Sequence, residues 1–326
     1  MDRTGITGAR DAADRIRLGV SSCLLGEAVR YDGGHKRDRF LTDVLGPYVE
    51  WVPVCPEVEV GLGVPRDTLR LEGSSAAPRL VQATTGEDLT ARMQRYARER
   101  VRALAALALD GYVLKRASPS CGLFRVRVYR DSGIPAADGR GLFAAALTTA
   151  LPALPVEEEG RLTDPAIREN FIERVFVSAR WRGFVATRPR PRDLVAFHAA
   201  HKLAVLAHSP AHVTRLGRMV AAARTLTRET LEAYHALLME AFAVRATRGR
   251  HANVLQHMTG YVRRDLGDDE RAELVEVIDE YRRGLVPLVV PLTLVKHHVR
   301  RLGVAYLADQ VYLNPHPREL MLRNHV

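Results

Sequence analysis

Ile16-Arg17-Leu18-Gly19-Val20-Ser21-Ser22-Cys23 reads as a short apolar strand that runs straight into a cysteine. Two later stretches repeat the pattern: Val52-Pro53-Val54-Cys55-Pro56-Glu57, and Leu114-Lys115-Arg116-Ala117-Ser118-Pro119-Ser120-Cys121-Gly122. Around them the first half alternates short apolar runs with helical periodicity. Strands are expected at Ile16–Ser21, Val49–Val54, Leu80–Ala83 and Tyr112–Lys115. Helices are expected at Arg39–Leu45, Asp88–Leu109 and Leu142–Leu151. Short apolar strands separated by helices indicate βαβ units and a parallel sheet with both faces covered. The expectation is an α/β domain with a mainly parallel sheet in three layers over residues 1–160.

From Asp193 onward the periodicity is helical throughout, with expected helices at Leu194–Ala207, Pro210–Ala223, Arg228–Ala246, His251–Asp265, Asp269–Arg283 and Pro291–Leu302. Ser209 before Pro210 and Asp268 before Asp269 stand at N-cap positions, and Gly284 stands at a C-cap. An all-α domain over 194–326 follows. Between the halves, residues 161–193 read as a bridge: one helix over Pro165–Trp181, then Arg188-Pro-Arg-Pro-Arg192 as an extended linker.

Charge separates the halves. Residues 1–160 carry 22 Lys+Arg against 21 Asp+Glu, and residues 161–326 carry 26 against 17. The positive field belongs to the second half and suits a polyanion such as nucleic acid. Candidate contacts are Arg245, Arg248, Arg250 and His251 at one helix boundary, with Arg263 and Arg264 at the far end of the next helix. The stretch Met1–Arg17 lacks the apolar block of a signal peptide, and the longest apolar run, Leu285–Val295, is broken by Pro287 and Pro291. The expectation is no membrane insertion and a cytoplasmic location. Three widely spaced cysteines make no disulfide framework and fit a reducing compartment.

Each cysteine stands just past the C-terminal end of an expected strand. In a parallel sheet those ends share one edge, where ligand sites form. Ser, Pro and Gly flank all three, which marks loops rather than core. Three thiolates suit zinc or an iron–sulfur cluster, and the spacing does not choose between them. Three ligands leave one coordination position open for Lewis-acid work. Glu57 is the candidate general base or acid beside Cys55. Ser118 and Ser120 are candidate hydrogen-bond donors. Arg30-Tyr31-Asp32-Gly33-Gly34-His35-Lys36 after Cys23 forms a loop whose paired glycines allow close approach to a ligand. Arg30, Tyr31, Asp32, Lys36, Arg66 and Lys115 are the other candidate substrate contacts, Lys36 and Lys115 being two of only four lysines in the chain.

Taken together, Ser22-Cys23-Leu-Leu-Gly26 with Arg30-Tyr-Asp-Gly33, Cys55-Pro-Glu57 with Pro65-Arg66, and Ser118-Pro-Ser-Cys-Gly122 resemble the thiouracil desulfidase family, once called domain of unknown function 523. The second half resembles domain of unknown function 1722 through His208-Ser-Pro210, Asn253-Val-Leu-Gln-His257, Gly284-Leu-Val-Pro-Leu288 with Pro291-Leu-Thr293, and Gln310-Val-Tyr-Leu-Asn-Pro-His-Pro317. The resemblance implies a 4Fe–4S cluster held by Cys23, Cys55 and Cys121 with one iron free of protein, and a catalytic role for Glu57 and Ser118. It also implies 4-thiouridine in transfer RNA as substrate. Val29 stands where many relatives carry a further cysteine. Two alternatives remain open at this point: desulfurisation of free thiouracil, and a non-catalytic nucleic-acid-binding or redox-sensing module.

Overall fold

The computed structural model describes residues 16–130 and 132–326; the charged stretch before Ile16 lies outside them. The described chain divides into two compact units that meet in sequence between Arg161 and Leu162.

The first unit is built on a four-stranded sheet of order β2-β1-β5-β8, in which β1 is Ile16–Ser21, β2 is Val49–Val54, β5 is Gly111–Leu114 and β8 is Val156–Glu158. All three pairings are parallel. Register sets Ser21 opposite Val54, Val20 opposite Val113, and Leu114 opposite Glu158, so the C-terminal ends of all four strands lie on one edge. At Gly19 the Tyr112 ring crosses the strand so closely that a Cβ would sit 2.1 Å from it, which only glycine permits.

Helix α2 (Thr90–Ala106) and helix α3 (Leu142–Ala150) pack on this sheet. Met93, Ala97, Val101 and Leu104 recur at helical spacing on α2, and the last three meet Phe143, Ala144 and Leu147 of α3 over Val54, Tyr112 and Leu114. Burial of this apolar stripe is the main force holding the layer, at roughly 25 cal/mol per Å² removed from water. A short π-helical stretch, Phe40–Leu45, occupies the place of the expected helix Arg39–Leu45, and the four-residue α1 (Pro56–Glu59) follows Cys55.

A second sheet, order β4-β3-β6-β7, was not expected. Its strands are β3 (Leu69–Ser74), β4 (Ala77–Gln82), β6 (Val126–Tyr129) and β7 (Pro135–Gly139). Two antiparallel hairpins are joined by the parallel pairing of β3 with β6. The strand expected at Leu80–Ala83 belongs here and not to the parallel sheet. Leu71, Leu80, Val126 and Val128 close a second core with Leu89, Met93 and Leu142.

The second unit is helical: α4 (Pro165–Ala186), α5 (Pro191–His208), α6 (Pro210–Ala222), α7 (Arg228–Ala243), α8 (Arg248–Val262), α9 (Asp268–Arg283), α10 (Val289–Leu302) and the short α11 (Ala305–Ala308). The segment expected as a bridge is this unit's most enclosed helix. Phe171, Ile172, Val175, Phe176, Val177 and Trp181 are all buried on α4, together with Glu169 and Glu173. The expected Pro/Arg linker is shorter than the run suggested, because Pro191 serves as the first residue of α5. Two caps also differ. Ser209 Oγ bonds His212 Nδ1 at 2.7 Å and makes no cap bond, and Gly267, not Asp268, is the N-cap of α9, its N–H donating to Glu270 Oε2. Gly284 ends α9 in the left-handed conformation, as expected. No helix among the described residues is long and apolar enough to cross a membrane.

Candidate active site at the sheet edge

Strand order decides where the cysteines meet. Cys23 lies two residues beyond β1, in the 3-10 turn Ser22–Leu25; Cys55 follows β2 directly; Cys121 ends the loop that leaves β5. These are three adjacent strands with β1 in the middle. All three cysteines are free and line one cavity of about 400 Å³. Within it stand Glu57, Arg66, Ser118 and Lys115, with Arg30, Tyr31 and Lys36 contributed by the loop after Cys23.

Burial raises all three thiols. The Cys23 thiol is pushed up to about 11, with Lys115 and Arg30 working against the shift and Cys55 and Glu159 adding to it. Burial likewise raises Cys55, and raises Cys121 further still. The Ser21 hydroxyl is directed at the Cys121 thiol and favours its thiolate. The protein alone therefore keeps these sulfurs protonated, and a bound cationic centre would deprotonate them. Among the described residues no three His, Cys, Asp or Glu side chains converge closely enough to hold a single ion.

Glu57 is held from two sides. Arg66 donates from Nε at 3.1 Å and Nη2 at 2.6 Å to Oε2. Ser120 Oγ at 3.0 Å and Ser118 Oγ at 3.4 Å donate to Oε1. Ser118 Oγ in turn accepts from the backbone N–H groups of Ser120 and Cys121, so the hydroxyl proton is directed to the carboxylate. The tight turn needs Gly122: a Cβ there would lie 2.7 Å from Ser118 O and 2.4 Å from Val126. Arg66 also donates to the carbonyls of Val29 (2.9 Å) and Gly63 (3.0 Å), and the Cys55 thiol faces the same Val29 carbonyl at 3.8 Å. One guanidinium thus ties Glu57 to the loop after Cys23.

Two candidates stand apart from the cavity wall. Asp32 is exposed, accepting from Gly34 N–H at 3.0 Å and pairing with Arg30 at 3.3 Å; it shapes the loop. Ser120 is fully buried behind Glu57 and positions that carboxylate. Sequence reasoning missed Ser21, Glu158 and Glu159. Ser21 Oγ accepts the Lys115 N–H at 2.9 Å. Glu159 pairs with Lys115 and accepts the Arg116 N–H at 2.7 Å. Glu158 accepts the N–H groups of Leu123 and Phe124 beyond Cys121. The acidic run at residues 157–159 was the available signal.

In the helical unit, Arg245, Arg248, Arg263 and Arg264 are exposed. His251 is not: it is buried with Nδ1 on Tyr312 OH at 2.9 Å and presents no surface to a partner. Arg250 is half-buried and donates to the His208 carbonyl at 2.6 Å, which gives it an internal task. Two of the family-like motifs of this unit, at His208 and Tyr312, contribute to a buried network. His208 Nε2 pairs with Glu173 at 3.2 Å, Arg323 with Glu169 at 3.2 Å, and Arg323 Nη1 donates to the Tyr312 carbonyl.

Residues 18–159 match the family described as 2-thiouracil desulfurase, and residues 202–317 match DUF1722, a family of unknown function. The protein YbgA of Escherichia coli (strain K12), itself uncharacterized, is 35% identical over 135 residues, covering 40% of this chain and 79% of that protein. The chain belongs to the 2-thiouracil desulfurase family in its first half and to the DUF1722 family in its second. YbbK of Bacillus subtilis (strain 168), also uncharacterized, is 29% identical over 108 residues, 32% of this chain and 71% of that protein. Among solved structures, the [4Fe-4S]-dependent thiouracil desulfidase TudS is 32% identical, covering 46% of this chain and 94% of its own, with a TM-score of 0.36. A desulfurase domain and a DUF1722 domain are therefore fused in one chain.

Proposed function

We propose that this chain is a cytoplasmic iron–sulfur desulfidase whose substrate is 4-thiouridine in transfer RNA, converted to uridine with release of sulfide. The observation that carries the reading is the meeting of Cys23, Cys55 and Cys121 around one cavity that also holds Glu57. The donor set fits a 4Fe–4S cluster. Three cysteines that line one cavity and carry no disulfide are the ligand type that iron–sulfur clusters use. Held by three ligands, such a cluster supplies an open iron with Lewis-acid affinity for a soft thiocarbonyl sulfur.

The chain's own residues do the rest. Arg30, Tyr31 and Lys115 line the cavity that a flat ring would enter. Glu57, anchored by Arg66, takes a proton from the water that attacks the ring carbon. The 3.4 Å contact from Ser118 is the longest on that carboxylate and the first to yield to the incoming water. The ring carbon exchanges its bond to sulfur for a bond to oxygen, with no net oxidation. The positive second unit supports RNA over a free base, because a neutral ring needs no such field.

The test uses the anaerobically reconstituted full chain on transfer RNA containing 4-thiouridine and on free 4-thiouracil. The expected result is sulfide release matched by loss of 4-thiouridine, with a higher kcat/KM on RNA. A wide preference for the free base would remove RNA as the substrate.

A further inference from the structure

Beside the cysteine cavity runs a larger groove, about 980 Å³, lying wholly within the first unit. The two share a wall made of Thr68, Leu69, Arg116, Ala117 and Pro119. The groove is basic despite the near-neutral charge of its unit. Arg70, Arg116, Arg125, Arg127 and Arg161 line it, and Glu158 is the acid in its lining. Glu72 pairs with Arg70, Glu157 pairs with Arg161, and Glu158 accepts the Leu123 and Phe124 N–H groups. Arg125 and Arg127 are exposed and make no ion pair among the described residues. Arg127 points outward from β6 because Val126 and Val128 face the core. Arg125 holds a φ of 52°, a strained backbone for a non-glycine residue and one that sites of function commonly retain. Two aromatic rings complete the floor. Arg161 lies over Phe124 at 4.8 Å and Arg70 over Tyr129 at 5.4 Å, with Phe124 38% exposed.

Cationic side chains interleaved with aromatic rings, here the exposed Phe124 and the half-buried Tyr129, are what single-stranded polynucleotide requires: phosphates meet guanidinium groups and bases stack on the rings. A thiolated base that enters the cysteine cavity must leave its stack, which carries its neighbours past the cavity mouth. We propose that this groove binds the unpaired RNA strand flanking the target nucleotide, so that the desulfurase unit itself reads RNA and does not depend on the helical unit alone. The inference rests on the RNA reading above. It adds a second contact site where the charge balance of the unit gave no reason to expect one.

The test compares the full-length protein with its Arg125→Glu/Arg127→Glu and Phe124→Ala variants. The readouts are affinity for a fluorescent single-stranded RNA over a range of salt, and sulfide release from free 4-thiouracil and from RNA containing 4-thiouridine. The double variant should bind RNA at least about tenfold more weakly, with a salt slope smaller by about 1 to 2. Phe124→Ala should weaken binding while leaving the salt slope in place. Both should turn over free 4-thiouracil as the wild type does, which also shows that they fold. Unchanged RNA affinity and slope in the double variant would overturn the groove. Wild-type protein that binds RNA but releases no sulfide from thiolated RNA would overturn the substrate reading alone. Wild-type protein that does not bind RNA would overturn both.

Discussion

Arg66 Nη2 lies 2.6 Å from Glu57 Oε2, with only 6% and 15% of the two side chains exposed. Removing one member of so enclosed a pair strands the other charge. Arg66→Ala should therefore lower kcat on free 4-thiouracil by about 10²-fold or more, since it also frees the Val29 and Gly63 carbonyls. Arg66→Lys should fall between, because an ammonium cannot span the three acceptors that the guanidinium fork reaches. Equal activity in wild type and Arg66→Ala would show that Glu57 needs no such anchor.

Glu57→Gln keeps the shape of the side chain and removes the proton acceptor. Its turnover should drop by ~10²–10⁴-fold, the usual contribution of a positioned acid–base group, while iron content stays at the wild-type level. Ser118→Ala should give a smaller defect, because Ser120 still donates to Oε1. Near-normal turnover in Glu57→Gln would move the base elsewhere.

Ser21→Ala tests a residue that only the fold makes visible. Its hydroxyl accepts the Lys115 N–H and faces the Cys121 thiol. Losing it leaves a part-buried N–H without its partner, a cost of about 1–3 kcal/mol. The expected result is a lower Tm of the metal-free protein. An unchanged Tm would mean that water replaces the hydroxyl.

What the sequence made legible follows from how local each signal is. The parallel sheet was readable because β1, β2 and β5 are near-continuous apolar runs. The shared cysteine edge followed from it by topology alone. The second sheet was not readable: Leu69-Arg-Leu-Glu-Gly-Ser74 and Val126-Arg-Val-Tyr129 alternate over too few residues, and the parallel pairing of β3 with β6 that joins the two hairpins links residues far apart in sequence. The Glu57 clamp needs Arg66, Ser118 and Ser120 brought together from two loops. The misplacement of His251 has the same root, since helical periodicity marks a face without saying what packs on it.

The helical unit should lose stability in acid. Burial, the largest cause in each case, lowers His201 and His235 to about 4 and His251 to about 3. The unfolded chain takes up these protons below about 6.5 and the folded chain does not. Stability from these groups is complete above that pH and falls as pH drops towards 4, by about 1.4 kcal/mol per pH unit for each group. Glu173 adds to the acid loss. Burial would raise it, but His208 and Arg323 outweigh burial and hold it at about 2, so its contribution fades below the usual carboxylate range. His208 is raised by Glu173 despite its burial, so its contribution is lost on the alkaline side, as pH climbs through its folded value. Thermal melts followed by far-ultraviolet circular dichroism should show Tm falling from pH 6.5 to 4. His251→Asn should flatten that fall, and an identical slope in this variant would contradict the assignment.

Iron and acid-labile sulfide per chain, measured after anaerobic reconstitution of the wild type and of Cys23→Ala, Cys55→Ala and Cys121→Ala, decide whether these three cysteines hold a cluster. The wild type should hold equal iron and sulfide in the amounts of one 4Fe–4S cluster, and each variant should lose both the cluster and sulfide release. Stoichiometric zinc without iron in the wild type, or a cluster that survives loss of any one of these cysteines, would contradict a cluster held by all three.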